Sequence, residues 1–334
     1  MVKAWATLAA DKPLEPFEYD PGPLAADDVE IAVETCGICH SDVSMMHNDW
    51  GITTYPLVPG HEVIGRVAAL GSNAKGLKVG QRVGVGWAAS SCMHCQQCLN
   101  GDQNLCLSHT GTIVGRHGGF AEKVRAQWPW AIPIPDGVDA KEAGPLLCGG
   151  VTTFTPFRAY GIEPTDRVGV VGIGGLGHMA LKFAHAWGCE VTAFTSTDAK
   201  AAEARSFGAH NIVNTHKDTD LKRIAGTLDL LLITANVPLN WPGMMSTLRP
   251  KGRLHVVGAV LEPIPVAAFP IIMGQNSISG SPNGAPLTSQ LMLEFCARHG
   301  IAPQTEHFPL SHVNDAIQHL IDGKARYRIV LDIA

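Results

Sequence analysis

Four of the nine cysteines in this 334-residue chain lie together in one polar, glycine-containing loop. They are Cys92, Cys95, Cys98 and Cys106. The spacing Cys-x2-Cys-x2-Cys-x7-Cys suits four thiolates around one tetrahedral ion, whereas cysteines so close in the chain are poorly placed for several mutual disulfides. Four protein ligands leave no position open for a substrate. The loop therefore predicts a structural zinc ion.

A second group of metal-binding residue types is spread along the first half of the chain. Its members are Cys39 in ETCGICHSD, His61 in VPGHEVIG and Cys148 in GPLLCGGVT. Two thiolates and one imidazole leave the fourth position of a zinc ion open for water or substrate, which is the pattern of a catalytic site. Glu62 follows His61 where a β-type run begins, an unusual place for charge without a chemical purpose. We therefore interpret this group as the ligands of a catalytic zinc ion.

The second half of the chain carries a glycine-rich sequence in the context that binds dinucleotides. The apolar run RVGVVGI leads into the glycines, a helical segment (HMALKFAHAWG) follows, and EVTAFT supplies the next strand. The glycines are Gly172, Gly174, Gly175 and Gly177. A strand, these glycines, a helix and a strand within about thirty residues form the fingerprint in which a helix N-terminus holds a pyrophosphate.

The elements that must position these residues change in type along the chain. Residues 28–34, 63–70 and 79–86 predict short strands separated by Gly and Pro turns, which favours a β-barrel. From Gly149 onward strands alternate with helices, which indicates βαβ units and a parallel sheet. Two helices and a last strand, YRIVLDI, follow residue 286 without a second phosphate motif.

This order predicts two α/β domains, one inserted into the other. The first comprises residues 1–148 together with 287–334, and the second comprises residues 149–286. The length of the chain agrees with two domains at about 150 residues each. The barrel domain would then hold both cysteine groups, and the inserted domain would hold the dinucleotide.

Composition excludes several classes of protein and partner. Hydrophobic residues make up 46% of the chain and charged residues 16%, which excludes a disordered tail. The 25 Lys and Arg against 30 Asp and Glu give a net charge of −5, so nucleic acid is not an expected partner. No apolar stretch reaches the roughly 20 residues needed to cross a bilayer, and the first residues lack a signal-peptide pattern. We expect a cytoplasmic protein that does not bind membranes.

The motifs GICHSD, YPLVPGHEVIG, the four-cysteine loop, AGPLLCGGVT and VGIGGLGH, in their order along the chain, resemble the zinc-dependent medium-chain alcohol dehydrogenases. Within that family they look most like the cinnamyl alcohol dehydrogenase branch and its bacterial NADPH-dependent aldehyde reductases. The resemblance implies a GroES-like β-barrel with an inserted Rossmann doubly wound sheet, two Zn²⁺ ions and NADP(H) per chain, and a homodimer. It implies reversible reduction of small aromatic and aliphatic aldehydes to primary alcohols.

The resemblance also assigns roles around the catalytic zinc. Glu62 matches an acid that can approach the metal, and Asp42 matches a carboxylate that orients the ligand His61. Ser41 matches the hydroxyl that bonds the substrate oxygen and begins proton transfer. Many members have a histidine three residues later to pass the proton onward, but this chain has Ser44. The nearby alternatives for this outer proton relay are His40 and His47.

Further roles follow from the same resemblance. Thr152 resembles a residue near the nicotinamide, and Arg328 matches a basic position close to the pyrophosphate. Trp50 and Trp87 fall in loops that line the substrate channel in this branch, and two indoles would suit an aromatic or long aliphatic aldehyde. Three further cysteines have no metal partner in view, and we interpret them as ordinary buried thiols. They are Cys36, Cys189 and Cys296.

The run that ends the second strand of the inserted domain predicts the choice of cofactor. NAD enzymes place an acid about 20 residues past the glycines to bind the ribose 2′-hydroxyl. Here Thr195 occupies that position and opens the run Thr195-Ser196-Thr197-Asp198-Ala199-Lys200. The groups expected to donate hydrogen bonds to a 2′-phosphate are Thr195, Ser196, Thr197 and Lys200. Asp198 is expected to face away as a helix cap.

Two alternatives remain open at this point. An NAD-linked polyol or secondary alcohol dehydrogenase would be expected to carry an acid where Thr195 stands. A non-catalytic zinc-binding relative would be expected to have lost part of the set formed by Ser41 and the three zinc ligands. A zinc-free quinone reductase is excluded, because it would lack both cysteine groups.

Overall fold

The computed structural model describes residues 1–260 and 262–333, so Ala334 of the predicted segment 287–334 lies outside the description. The strands are β1 (Val2–Ala6), β2 (Glu15–Tyr19), β3 (Asp28–Ile38), β4 (Glu62–Leu70), β5 (Arg82–Val85), β6 (Ala88–Ser90), β7 (Thr110–Gly111), β8 (Lys123–Gln127), β9 (Ile132–Pro133), β10 (Arg167–Val171), β11 (Glu190–Thr195), β12 (Asn211–Asn214), β13 (Leu228–Ile233), β14 (Leu248–Val256), β15 (Ser277–Gly280), β16 (Thr305–Pro309) and β17 (Arg328–Asp332). The α-helices are α1 (His40–His47), α2 (Gln96–Leu99), α3 (Gly149–Ala159), α4 (Gly177–Trp187), α5 (Ala201–Ser206), α6 (Asp218–Arg223), α7 (Trp241–Ser246), α8 (Ala268–Gly274), α9 (Pro286–His299) and α10 (Val313–Ile321).

The chain divides into two compact units. Unit 1 consists of Met1–Val151 and Asn283–Ala334, and unit 2 consists of Thr152–Pro282. The chain therefore leaves unit 1, forms unit 2 and returns to complete unit 1. Among the helices that the structure describes, none is long and apolar enough to cross a membrane.

Unit 1 is built on a mainly antiparallel sheet in the order β16-β17-β3-β4-β5-β9, with β8 also paired to β3. Strand β3 runs for eleven residues and changes partner along its length. Its first part, residues 28–32, pairs with β8, and residues 35–38 pair with β17. Two register shifts in its pairing with β4 accompany this change. The far end of β3 thereby delivers Cys39 to the interior of the unit.

Alternation of apolar side chains explains how this sheet encloses its core. Val29, Ile31 and Val33 of β3 are at most 4% exposed and belong to one apolar cluster. Helix α10 joins the cluster through Val313 and Ile317, which lie on one face because they are four residues apart. The final helix and strand that the sequence predicts thus do return to the first part of the chain.

Unit 2 is a six-stranded parallel sheet in the order β12-β11-β10-β13-β14-β15. The central strands read RVGVV and LDLLLI, and they are almost wholly buried, as strands covered by helices on both faces must be. The strand order reverses between β10 and β13, which is the switch point where doubly wound sheets bind ligands. The predicted inserted doubly wound sheet is confirmed.

Candidate zinc centres and dinucleotide site

Asp42 organises the cluster that contains Cys39 and His61. Cys39 caps the N-terminus of α1, and its backbone N–H donates to Asp42 Oδ2 at 2.9 Å. The other carboxylate oxygen, Oδ1, accepts from Gly60 N and from His61 Nδ1, each at 2.9 Å. Asp42 and His61 are both fully buried. One carboxylate therefore fixes the loop before α1, the loop before β4 and the tautomer of the imidazole.

His61 reaches the cluster because a glycine turns the chain just before it. Gly60 has φ +99°, and an added Cβ would lie 2.6 Å from a ring carbon of Phe120. Only glycine fits this combination of backbone conformation and space. The turn directs the Nε2 atom of His61 toward Cys148 Sγ, 3.4 Å away. Cys148 itself follows the short turn Gly144–Leu147 and precedes α3.

The donor atoms of this cluster fit a zinc ion. Cys148 Sγ and Cys39 Sγ are 3.9 Å apart, and the ligand atoms of Cys39, His61, Glu62 and Cys148 all lie within 4.8 Å of one another. Zn–S bonds of about 2.3 Å in a tetrahedron place two sulfurs about 3.8 Å apart. Two thiols, an imidazole with its Nδ1 already occupied and a carboxylate are suitable ligands for this metal.

Glu62 and Arg328 form a buried ion pair at the edge of the cluster. Arg328 is 5% exposed and Glu62 is fully buried, and Arg328 Nη2 donates to Glu62 Oε1 and to the carbonyl of Ile38. Within the described residues, Glu62 Oε2 is buried without a hydrogen-bond partner. Burial raises the pKa of Glu62, and the Arg328 guanidinium opposes that rise. This carboxylate oxygen lies unpaired beside two thiols and an imidazole. A cation bound in the cluster would supply the missing partner.

The candidate proton-relay residues all lie on helix α1. Ser41 Oγ lies 3.7 Å from Cys39 Sγ, next to the cluster. Ser44 lies one turn further along α1 and is half-buried. His40 and His47 are seven residues apart and lie on the exposed face of the helix, where His47 Nδ1 pairs with Asp11. Ser44 lies four residues after His40 and three before His47, so it shares their face of the helix.

Two indoles lie beside the cluster in unit 1. The Trp87 ring packs edge-on against the His61 ring with centroids 5.1 Å apart, and Trp50 packs against Trp87 at 5.7 Å. Both tryptophans are half-buried and contact the apolar core of the unit. An amphipathic wall of this kind is suited to an apolar substrate group, so Trp50 and Trp87 remain predicted pocket residues.

The four-cysteine loop forms a second, closed cluster. The sulfurs of Cys92, Cys95, Cys98 and Cys106 all lie within 4.8 Å of one another. The backbone N–H groups of His94 and Cys95 lower the pKa of Cys92 to about 6, which favours the thiolate that a metal requires. Four thiolates fill a tetrahedral zinc site completely. The donor set and its local amides therefore fit the predicted structural ion.

The loop is also tied to the segment that returns from unit 2. Asn104 Nδ2 donates to the carbonyl oxygen of Asn283 at 3.0 Å. Asn283 is the first residue of the second segment of unit 1. Cys36, Cys189 and Cys296 are buried elsewhere in the chain.

The glycines of the turn between β10 and α4 are needed for different structural reasons. Gly172 has φ +91°, and an added Cβ would lie 2.9 Å from Ala235 Cβ. An added Cβ at Gly177 would collide with the carbonyl oxygen of Gly172, so this glycine lets α4 start close to the strand. A Cβ at Gly174 would meet nothing within 4 Å, which is open space where a pyrophosphate could approach the backbone. Gly175 lies in the same turn, between β10 and α4.

The turn after β11 differs from the prediction at Asp198. Thr195 Oγ1 donates to the carbonyl of Thr197 at 3.1 Å, and Lys200 Nζ donates to the carbonyl of Ile173 in the glycine turn, also at 3.1 Å. Ser196 and Thr197 are exposed. The predicted helix cap at Asp198 is wrong, because Thr197 occupies the N-cap position of the short 3₁₀ turn 198–200 and no side chain bonds the turn as a cap. The Asp198 carboxylate instead accepts from Asn214 Nδ2 and Lys217 Nζ, each at 2.8 Å.

The two remaining predicted cofactor contacts lie in different units. Thr152 is half-buried on α3 and is the first residue of unit 2. Arg328 lies in unit 1, where its guanidinium bonds Glu62 and the carbonyl of Ile38. Neither this ion pair nor the bonds of Asp198 to Asn214 and Lys217 were predicted from the sequence. No motif could have found them, since each pairing depends on which strands become neighbours.

Family models and known relatives match both units of the chain. A family model for the alcohol dehydrogenase GroES-like domain matches residues 25–136, and one for zinc-binding dehydrogenases matches residues 175–298. An aldehyde reductase, AdhA, from a Synechocystis species is 50% identical over 331 residues, covering 99% of this chain and 98% of the relative. The structure of a cinnamyl alcohol dehydrogenase from Sorghum bicolor is 35% identical with a TM-score of 0.94, covering 99% of this chain and 97% of the other. A cinnamyl alcohol dehydrogenase structure from Helicobacter pylori, complexed with NADP(H), is 28% identical with a TM-score of 0.90 over the same shares.

Proposed function

Because the chain belongs to the zinc-dependent medium-chain alcohol dehydrogenases, in their cinnamyl alcohol dehydrogenase branch, we propose that it reduces aldehydes to primary alcohols reversibly with NADPH. It is an oxidoreductase of aldehydes and alcohols that uses zinc and a nicotinamide cofactor. The preference for NADPH and the acceptance of both aromatic and aliphatic aldehydes are the added steps. The family is also the known example of a Cys₂His catalytic zinc site.

The observation that carries the proposal is the cluster of Cys39, His61 and Cys148, with the Ser41 hydroxyl beside it. When bound, a zinc ion supplies Lewis acidity toward a carbonyl oxygen and a nicotinamide supplies the hydride. Ser41 would hold the proton on Oγ and donate it to the reduced carbonyl oxygen. Asp42 would keep the proton on His61 Nδ1 by accepting a hydrogen bond from that N–H group, which leaves the Nε2 lone pair free to bind metal.

A direct assay tests this proposal. Zinc-replete protein should oxidise NADPH in the presence of a panel of aromatic and aliphatic aldehydes, followed at the nicotinamide absorbance band. Oxidation with NADPH but little with NADH supports the proposal. Turnover only with polyols and NAD would favour the polyol dehydrogenase alternative. No turnover with any member of the panel would favour a non-catalytic relative.

Two zinc ions per chain, one catalytic and one structural, are proposed from the two donor clusters. One cluster offers a mixed set of sulfur, nitrogen and oxygen donors, and the other offers four sulfurs. A mixed set with three strong ligands leaves a position for substrate, whereas four thiolates close the site. Mass spectrometry of carefully purified protein should return two zinc ions per chain, and one or none would contradict the assignment.

The proposed NADPH preference is supported by the turn after β11. Thr195, Ser196, Thr197 and Lys200 provide hydroxyls and one ammonium where NAD enzymes carry an acid. Hydrogen bonds to a charged group contribute about 1.5–3 kcal/mol each, so two of them correspond to a roughly 100-fold preference or more in kcat/KM. Thr195→Asp should reverse much of this preference. Equal use of NADH by the wild type would contradict the proposal.

We further propose a homodimer and a cytoplasmic location. The dimer is supported by an apolar surface on unit 2, in which Phe269, Ile272 and Met273 of α8 are 68–71% exposed. The neighbouring strand β15 is a sheet edge, because among the described strands it pairs with β14 alone. The location is supported by the six cysteines proposed as zinc-bound thiolates, which suit a reducing compartment, and cell fractionation tests it. We also propose that residues 1–148 with 287–334 act as the catalytic domain and residues 149–286 as the cofactor domain.

A further inference from the structure

Asp198 presents an electrostatic difficulty for the proposed NADPH site. It lies in the turn after β11, within the same six residues that would bind the 2′-phosphate. The 2′-phosphate carries close to two negative charges, so a nearby carboxylate would repel it. This repulsion is the means by which NAD enzymes reject NADPH. The chain must therefore compensate for the charge or lose its preference.

Asn214 holds one oxygen of the Asp198 carboxylate. It ends β12, opposite Thr195 in the parallel pairing of β11 with β12, and it is 6% exposed. Its Oδ1 accepts from the backbone N–H of His216 at 3.0 Å, so its Nδ2 is the atom that faces Asp198 Oδ1, at 2.8 Å. A buried amide that is bonded at both ends has a fixed orientation.

Lys217 holds the other oxygen and balances the charge. Its Nζ donates to Asp198 Oδ2 at 2.8 Å, and its backbone N–H donates to the carbonyl of Asn214 at 3.0 Å. Hydrogen bonds from Lys217 and Asn214 lower the pKa of Asp198, so this side chain stays ionised at neutral pH. The carboxylate is thus directed toward the end of β12 and is paired there with an ammonium.

We propose that Lys217, aided by Asn214, is a positioning residue for NADPH selection: it holds and neutralises Asp198 so that the preceding hydroxyls and Lys200 can receive a 2′-phosphate. The side chains of Lys200 and Lys217 point in different directions. Lys200 Nζ donates to the carbonyl of Ile173 in the glycine turn, whereas Lys217 Nζ donates to Asp198. Lys217 acts through Asp198 and does not itself bind the phosphate. The inference rests on the proposed NADPH preference.

The test uses two probes that differ only in the 2′-phosphate, adenosine 2′,5′-bisphosphate and adenosine 5′-monophosphate, titrated by calorimetry into the zinc-replete full chain. The variants are Lys217→Gln, Asp198→Asn and the double variant, with Lys222→Gln as an exposed-lysine control on α6. Lys217→Gln should weaken the bisphosphate about three- to tenfold and leave the monophosphate unchanged. The loss should shrink when salt is raised from about 0.02 M to about 0.5 M, because the repulsion is screened.

The double variant decides between a positioning role and direct contact. Once Asp198 is replaced by Asn, the added Lys217→Gln change should cost little, because no negative charge remains to be neutralised. An equal loss in both backgrounds would mean that Lys217 contacts the phosphate, and equal weakening of both probes would mean a structural role. Either result overturns the inference, as does an effect of Lys222→Gln equal to that of Lys217→Gln. Equal binding of both probes by the wild type would instead refute the proposed NADPH preference, and the inference with it.

Discussion

Asp42 shows how one side chain can prearrange the ligands of a candidate metal site. Its two carboxylate oxygens accept from the backbone of Cys39 and Gly60 and from the His61 ring. It therefore connects the two loops that supply these ligands, which lie about twenty residues apart in the chain. A carboxylate bonded to a ligating imidazole also strengthens the ligand as a donor.

Replacing Asp42 with Asn should weaken zinc binding at this cluster by about 10- to 100-fold, because the neutral amide presents an N–H group to donors and supports the imidazole less. Zinc retained after graded chelator treatment, measured by mass spectrometry, reports the effect. Zinc in the four-cysteine loop should be unaffected. Asp49→Asn, an exposed change just after α1, is the matched control. Equal zinc retention in both variants would contradict the role given to Asp42.

Ser41 should matter for turnover and not for cofactor binding. Ser41→Ala removes the hydroxyl proposed to donate the proton, so kcat should fall by about 10²- to 10⁴-fold while the Kd for NADPH stays the same. Ser41→Thr retains a hydroxyl and should recover part of the rate. Unchanged turnover of the Ala variant, with hydride transfer shown by a deuterium isotope effect to limit the rate, would refute this role.

At the scale of elements, local patterns predicted more than long-range pairs did. The strand RVGVV, the glycine turn and the helix after it were predictable because each pattern reports on its own backbone. The ion pair of Glu62 with Arg328 joins residues 266 positions apart, and it depends on which strands become neighbours. The wrong cap at Asp198 has the same origin. The Asp198 carboxylate instead bonds Asn214 and Lys217, which the pairing register of β11 with β12 brings close to it.

The four-cysteine loop and the open cluster should respond differently to loss of a ligand. Cys98→Ser should remove the structural zinc and lower Tm by at least about 5 °C, because a closed metal site contributes directly to folding. Cys148→Ser should remove the other zinc and the activity with little change in Tm. Zinc counts, Tm and turnover measured on both variants check this. A larger loss of Tm for Cys148→Ser would reverse the assignment.

At the scale of the whole molecule, the exposed apolar side chains of α8 should mediate self-association. Met273→Asp places a charge among Phe269, Ile272 and Met273, so light scattering should report the 35.5 kDa chain mass in place of twice that value. Leu107→Asp changes a fully exposed leucine of the four-cysteine loop and should leave the dimer intact. A wild type that is already monomeric, or a dimer lost only with Leu107→Asp, would contradict this surface.

The return of the chain to unit 1 has a consequence for biosynthesis. A ribosome makes the Cys39, His61 and Cys148 segments first, then all of unit 2, and only afterwards β17. Until β17 pairs with β3, Glu62 has no Arg328 beside it, and the sheet of unit 1 lacks two strands. The nascent chain must therefore keep an incomplete barrel soluble through the synthesis of about 180 residues, from Thr152 to Asp332, for about 9 to 36 seconds at ordinary elongation rates. A metal ion held by Cys39, His61 and Cys148 would thus reach its final surroundings, with Glu62 paired to Arg328, late in the life of each new chain.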